Sequence, residues 1–153
     1  MMHANGIEEG VPVPTNHRPT LTSAAASRGL QGAVKTAESM DIAVTIVVVD
    51  ESGVLKAMQR MDGAPLVSLE TATNKGYAAA AIGMPGDEFY AAIEADPAAV
   101  ASFATRPGLA LIAGGIPVIV DGSVAGAIGV AGAMTSADDR RIAEVAAAAA
   151  GDA

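Results

Sequence analysis

Two predicted β-hairpins constrain the fold of this chain more than any other feature of its sequence. In one, an apolar, β-branched run at 43–49 is followed by a glycine-containing break at 50–53 and a second strand at 54–60. In the other, Asp121 and Gly122 separate two apolar runs, and Asp-Gly is favoured in two-residue type I′ turns. Because a hairpin joins neighbouring antiparallel strands, the chain is predicted to form an antiparallel sheet.

Predicted helices flank and separate these strands. Apolar residues at three- and four-residue steps, together with capping residues, predict helices at 21–40, 66–82, 87–95 and 97–105 and a last one that begins after Thr135 or Ser136. The second hairpin comprises strands at 116–120 and 124–133, and a further strand is predicted at 109–113. This order predicts an α/β (α+β) fold in which helices lie on the faces of the antiparallel sheet.

The N-terminal segment differs in character from the rest of the chain. Residues 1–19 contain three prolines, glycine, asparagine and charged residues without periodicity, so they are predicted to form a flexible N-terminal arm. Residues 20–153 are predicted to form a single domain. The N-terminus lacks the cationic start and apolar core of a secretory signal, and no run is long enough to span a bilayer. We therefore expect a cytoplasmic protein.

The composition favours self-association and argues against two classes of partner. Hydrophobic residues make up 51% of the 153-residue chain and the mean hydropathy is +0.39, so we expect a second subunit to cover part of the surface. The predicted state is a homo-oligomer, a dimer or larger. The net charge is −8 and the nine Lys and Arg residues are scattered, which argues against nucleic acid and membrane surfaces as partners.

The inventory of reactive side chains is short. Cysteine is absent, which excludes disulfides, thiolate catalysis and Cys-ligated metal centres. The two histidines, His3 and His17, both lie in the predicted arm, so the domain itself has no histidine for a Ser-His-Asp triad. No catalytic residue is predicted, and the residues leave open whether the protein is an enzyme.

Three charged residues close to glycine- and proline-rich segments are candidates for binding a small-molecule ligand. Arg60 ends a predicted strand, Asp62 lies in the following turn and Lys75 lies in the next helix. Two interpretations are open: the basic side chains bind an anionic ligand, or Asp62 forms a structural ion pair with one of them. Thr135 is a further candidate, since free N–H groups at a helix N-terminus can receive a carboxylate or phosphate.

A glycine-rich stretch at 126–132 lies just before this last helix. It matches neither the dinucleotide-binding fingerprint nor a Walker sequence. Glycine inside a strand usually marks the close approach of another backbone. The stretch is therefore predicted to serve packing rather than phosphate binding.

Four motifs resemble those of the GlcG/HbpS-like family. They are the run Arg-Met-Asp-Gly-Ala-Pro at 60–65, Lys75, the run Gly-Gly-Ile-Pro at 114–117 and the glycine-rich stretch at 126–132. Their order and spacing match over residues 21–149, nearly the whole predicted domain. The resemblance implies a profilin-like or PAS-like three-layer domain that assembles into dimers or larger rings.

The resemblance also implies that the protein binds or handles haem. Haem needs an axial ligand for its iron, an apolar slot and, usually, cations for its propionates. His17 is the candidate metal ligand, with Tyr77 and Tyr90 as weaker alternatives. The candidate cations for the propionates are Arg60, Lys75 and Arg106.

A second function, from a different class, stays open beside haem binding. Some members of the family are encoded beside glycolate-utilisation genes, which implies an enzyme or accessory protein of organic-acid catabolism that binds a carboxylate. In that interpretation the group formed by Arg60, Asp62 and Lys75 binds the carboxylate. A buried Lys75 could then act as a base, because desolvation lowers the pKa of an amine.

Overall fold

The computed structural model describes residues 11–152, which contain five helices and four strands. In chain order these are α1 (Ser23–Ser39), β1 (Thr45–Asp50), β2 (Leu55–Arg60), α2 (Ser68–Ile82), α3 (Gly86–Ile93), α4 (Pro97–Ala104), β3 (Gly115–Val120), β4 (Ser123–Ala131) and α5 (Ser136–Gly151). None of these helices is both long enough and apolar enough to cross a membrane. The five predicted helices and both predicted hairpins are present, with bounds that differ by a few residues at most.

The four strands form one antiparallel sheet in the order β2-β1-β4-β3. The two hairpins form its outer pairs, and β1 joins β4 at the centre, where Thr45 lies opposite Ala131. In the turn between β3 and β4, φ is 49° at Asp121 and 76° at Gly122. A type I′ turn requires positive φ at both central residues. The predicted antiparallel sheet is confirmed.

Helices cover both faces of the sheet and make the domain three layers thick. α1 and α5 pack on one face, where they bury Ile46 of β1 and Ile128 of β4. α2 packs on the other face over Val47 and Ala127. Because successive side chains of a strand point to opposite faces, the apolar run of β1 is buried on both sides. The predicted α/β (α+β) class and its helix layers are confirmed.

α2 and β4 approach each other closely at two glycines. A Cβ on Gly129 would overlap the carbonyl oxygen of Ala72 and lie 2.6 Å from the amide nitrogen of Gly76. Position 129 therefore has no space for a side chain while helix and strand keep this separation. The interpretation of the 126–132 stretch as a packing feature is confirmed.

One predicted strand is wrong, and α1 and α2 each start two residues later than predicted. Residues 109–113 form no strand but run irregularly over the start of α3, where a Cβ on Gly86 would lie 2.8 Å from the carbonyl oxygen of Ala110. Leu109, Leu111 and Ile112 line a pocket together with residues of α3 and α4, and an apolar run alone does not distinguish such an environment from a sheet. α2 begins at Ser68 rather than 66, because the Ser68 amide donates to Pro65 in a preceding turn.

Residues 11–22 precede α1 without regular secondary structure. Residues 11–18 are exposed, and the segment joins the domain at Leu21, whose amide donates to the carbonyl oxygen of Ala125 at the start of β4. The Thr22 side chain caps α1 by accepting a hydrogen bond from the Ala25 amide. His3 and the first half of the predicted arm, residues 1–10, lie outside the described residues. The flexibility of residues 1–19 stays a prediction.

Candidate functional site

A cleft lies where the N-terminal ends of α2 and α5 meet the end of the sheet. Its volume is about 350 Å³. Hydroxyl-bearing residues line it, namely Ser68 and Thr71 of α2 and Ser136 of α5. Apolar side chains at its rim are strongly exposed, with Val67 at 71% and Met134 at 99%. The cleft is therefore open to solvent at its mouth.

The floor of the cleft is a buried ion pair. Lys75 Nζ lies 2.8 Å from Asp139 Oδ2 and donates a second hydrogen bond, of 3.0 Å, to the carbonyl oxygen of Val130. Asp139 Oδ1 accepts a hydrogen bond from the amide of Ala133. The side chains of Lys75 and Asp139 are 1% and 6% exposed. The cleft thus ends on an amine and a carboxyl group that are almost removed from water.

Burial affects the pKa of one member of this pair, Asp139. The pKa of Asp139 is raised above that of a free aspartate, because desolvation of the carboxylate outweighs its hydrogen bond with Lys75 and the attraction of that ammonium. Asp139 therefore accepts a proton more readily than an exposed aspartate does.

The ion pair occupies the space that a side chain at Gly114 would need. A Cβ on Gly114 would lie 2.8 Å from Lys75 Nζ and 2.6 Å from the carbonyl oxygen of Val130. Its φ is 120°, a conformation that residues with a side chain rarely adopt. Gly115, the next residue, is equally crowded, since a Cβ there would overlap the backbone carbonyl of Lys75. The two glycines let β3 and its preceding turn close over Lys75.

Of the four predicted ligand-binding residues, Lys75 alone lines the cleft. Thr135 caps α5 and is the chain neighbour of Met134 and Ser136, which line the cleft. Arg60 and Asp62 are exposed and lie outside the residues that line the cleft. The interpretation of Asp62 as the partner of a base in an ion pair, one of the two left open, is wrong: within residues 11–152 no ion pair involves Asp62, and Lys75 instead pairs with Asp139.

Sequence reasoning misses Asp139. In the first turn of a helix, a carboxylate is ordinarily explained by its favourable interaction with the helix dipole. Helical spacing carries a second signal, because Asp139 precedes Ile142, Ala143 and Ala146 by three, four and seven residues, and all of them are buried. An acidic residue on such a buried stripe indicates a buried basic partner.

A second concavity, the aromatic groove, lies between α2 and the segment that follows α4. Its volume is about 320 Å³, and Tyr77, Phe103, Arg106 and Leu109 are among its lining residues. The guanidinium carbon of Arg106 lies 5.2 Å from the centre of the Phe103 ring. This cation–π contact favours a position of the cation beside the groove.

Tyr77 lies between two glycines in this groove. A Cβ on Gly53 would lie 2.6 Å from Tyr77 Cδ2, and one on Gly108 would lie 3.6 Å from Tyr77 Cδ1. Both glycines have positive φ, of 77° and 79°. The ring is thus held closely by backbone, while Tyr77 stays 39% exposed.

A smaller pocket of about 270 Å³ continues the aromatic groove. It shares Phe103 and Leu109 with the groove and adds Tyr90 and Val100. Ile112 lines both this pocket and the cleft. Both predicted tyrosines therefore lie on one continuous concave surface.

His17, the predicted metal ligand, is exposed four residues before Leu21. Leu21 joins the domain at the end of the sheet where Gly53, the neighbour of Tyr77, forms the β1–β2 turn. At no more than about 3.6 Å per residue, His17 lies within about 14 Å of Leu21. Among residues 11–152, no cluster of three or more His, Cys, Asp or Glu side chains could hold a metal ion.

The fold and its sites define a three-layer α+β domain with two concave surfaces beside one helix. A family model described as "Haem degrading protein HbpS-like" matches residues 21–148. The chain belongs to this HbpS-like family, as the motifs predict.

Individual relatives agree with this assignment. Protein GlcG of Escherichia coli (strain K12) is 33% identical over 110 residues, which cover 72% of this chain and 80% of that protein. A crystal structure of a double mutant of HbpS from Streptomyces reticuli shares 30% identity with a TM-score of 0.79, covering 97% of this chain and 94% of that one. A crystal structure of a PduOC:haem complex shares 25% identity with a TM-score of 0.77, covering 85% and 94%.

Proposed function

We propose that this protein binds haem non-covalently in the aromatic groove and functions as a haem-handling protein. The family description and the haem complex of a structural relative support the choice of ligand. The observation that carries the proposal is the meeting of a phenol, a guanidinium and apolar walls in one groove. Bound haem would supply a redox-active iron.

In this proposal, different residues of the groove bind the porphyrin, the iron and a propionate of haem. Phe103 and Leu109 offer apolar contact to a porphyrin face. Tyr77 offers an oxygen of the kind that ligates haem iron in catalase. Arg106 can form charge-assisted hydrogen bonds with a propionate. The groove, at about 320 Å³, reaches the usual size of ligand sites.

The arm offers a second iron ligand. His17 is exposed. Leu21, four residues later, joins the arm to the domain at the end of the sheet where Gly53 lies against Tyr77. Imidazole is a common axial ligand of haem. His17 is therefore proposed as a ligand from the arm, to its own groove or to that of a neighbouring subunit.

We expect a haemin titration, followed by absorbance, to show a saturable Soret band. Tyr77→Phe keeps the ring but removes the oxygen, so it should weaken binding by about tenfold or more, which corresponds to about 1.4 kcal/mol. Tyr90→Phe is the matched control, because it removes the same atom from the continuation of the groove. It should leave the affinity within about twofold.

His17→Ala separates the two candidate ligands. A band that disappears in His17→Ala and survives in Tyr77→Phe would assign the iron to the arm and contradict the tyrosine. Weak, non-saturating binding by the wild-type protein would contradict haem binding altogether.

The alternative function, an enzyme or accessory protein that binds a carboxylate, concerns the cleft. Two of the three residues predicted for it, Arg60 and Asp62, lie outside the cleft lining. The third, Lys75, has its charge balanced by Asp139. The predicted group therefore offers no unpaired cation inside the cleft, which favours haem binding over carboxylate binding.

We also propose that the protein is a homo-oligomer, a dimer or larger, and that it is cytoplasmic. Leu55 and Met58 of β2 pair with residues that α2 covers, but α2 packs on β1, β4 and β3 and leaves them 55% and 39% exposed. α4 is apolar and contains no buried residue. A second copy of the chain would remove such surfaces from water.

We expect the wild-type protein to sediment as an oligomer at equilibrium. Met58→Glu places a charge on the exposed α2 side of β2 and should raise the dissociation constant by tenfold or more, about 1.4 kcal/mol per tenfold. Gln59→Glu adds the same charge on the opposite face of that strand, where Gln59 pairs with Ile46. This control should sediment like the wild type. A monomeric wild-type protein would contradict the proposal.

A further inference from the structure

The amine at the floor of the cleft, that of Lys75, lies outside the aromatic groove proposed for haem. The chain has three lysines, and Lys35 and Lys56 are exposed on α1 and β2. Lys75 differs from both, because its side chain is 1% exposed and its Nζ lies 2.8 Å from the carboxylate of Asp139. Lys75 also lines an open cleft, so a small molecule bound in the cleft would lie against this residue.

We propose that Lys75 reacts reversibly with a small aldehyde or ketone in the cleft to form an imine, with Asp139 as proton acceptor and counter-ion. Lysine amines form Schiff bases with carbonyl compounds, and placement in a poorly hydrated site activates them. Asp139 supplies the acid–base partner that such a reaction needs, since it already shares a hydrogen bond with the nitrogen that reacts.

The first step is a proton transfer from the Lys75 ammonium to Asp139 Oδ2 across 2.8 Å. The lone pair of the free amine attacks the carbonyl carbon, and the carbonyl oxygen takes the proton from Asp139 to give a carbinolamine. Asp139 then moves a proton from the nitrogen to the hydroxyl, which leaves as water while the nitrogen lone pair forms the C=N bond. The net change consumes one carbonyl compound and releases one water, and the iminium cation faces the Asp139 carboxylate.

Two further observations support this assignment. Desolvation raises the pKa of Asp139, which favours the proton transfer that frees the amine. The cleft, which Lys75 lines together with Val67 and Met134, has a volume of about 350 Å³ and favours a small substrate. The proposal is independent of haem, because it uses no residue of the aromatic groove.

Reductive trapping tests the proposal on the wild-type protein. The folded protein is incubated with cyanoborohydride and either glyoxylate or acetaldehyde, and the modified lysines are identified by peptide mass spectrometry. We expect the secondary amine to form on Lys75 at least tenfold faster than on Lys35 or Lys56. Comparison of the two probes shows whether the carboxylate of glyoxylate speeds the modification of Lys75. Equal or slower modification of Lys75 than of the two exposed lysines overturns the proposal.

Matched variants distinguish imine formation assisted by Asp139 from the general reactivity of lysine amines. Lys56→Arg should leave the rapid modification of Lys75 unchanged. Asp139→Asn keeps the shape of the side chain but cannot accept the proton, so it should slow modification of Lys75 by tenfold or more without affecting Lys35. A Lys75 that reacts as fast in Asp139→Asn as in the wild type contradicts the role of Asp139. Circular dichroism confirms folding, and the wild-type comparison of three lysines stays decisive if a variant does not fold.

Discussion

Replacing Asp139 with leucine should lower the free energy of unfolding by about 3–5 kcal/mol at pH 7. The substitution keeps the branching of the side chain but leaves the ammonium of Lys75, 1% exposed, without its counter-ion. It also removes the acceptor of the Ala133 amide. Urea denaturation of the wild type and variant measures the loss, and an unchanged slope would show that the compactness of the two states is unaltered.

The double variant Lys75→Met/Asp139→Leu is the control for this prediction. It removes both charges and keeps an unbranched apolar chain at Lys75, so it should be more stable than Asp139→Leu and close to the wild type. The raised pKa of Asp139 supports this expectation, because it shows that desolvation outweighs the attraction within the pair. If the double variant were as unstable as the single one, lost packing rather than the uncompensated charge would explain the effect.

Gly129→Ala should destabilise the protein by about 3 kcal/mol, at the upper end of overpacking effects. The added methyl would overlap the carbonyl oxygen of Ala72 and approach the amide nitrogen of Gly76 to 2.6 Å. Both are backbone atoms of α2, so no side chain can turn away to make space. Thermal or urea unfolding measures the change.

Gly151→Ala is the matched control, since it adds the same methyl near the end of α5, where the nearest atom is 4.0 Å away. Alanine is the better helix former, so the control should be as stable as the wild type or slightly more stable. Equal stability of Gly129→Ala and the wild type would show that α2 can move away from the sheet at little cost.

Features set by local backbone chemistry could be predicted from the sequence. The turn at Asp121 and Gly122 follows from the tolerance of these two residues for positive φ. The cap at Thr22 and the doubly buried strand β1 likewise depend on neighbouring residues in the chain. The packing role of Gly129 could also be predicted, because glycine within a strand often marks the close approach of another backbone.

Features set by distant residues could not be predicted in this way. Lys75 and Asp139 come together only because α2 and α5 both begin near the same end of the sheet. The apolar segment at 109–113 has the residue types of a strand, but its residues line the aromatic groove and the pocket that continues it. The exposure of Arg60 follows from the edge position of β2, which the strand order alone determines.

The central pairing of β1 with β4 also determines how the chain can reach its fold. Each hairpin closes a short loop. The pairing of β1 with β4, in contrast, joins residues far apart in sequence, such as Asp50 with Gly126 and Thr45 with Ala131. Closing so long a loop costs entropy before the contacts that compensate for it are made. We therefore expect the two halves of the sheet to form first and their union to limit the folding rate. Until that union, one apolar edge of each central strand stays available to another chain, so folding is most vulnerable to aggregation at this step.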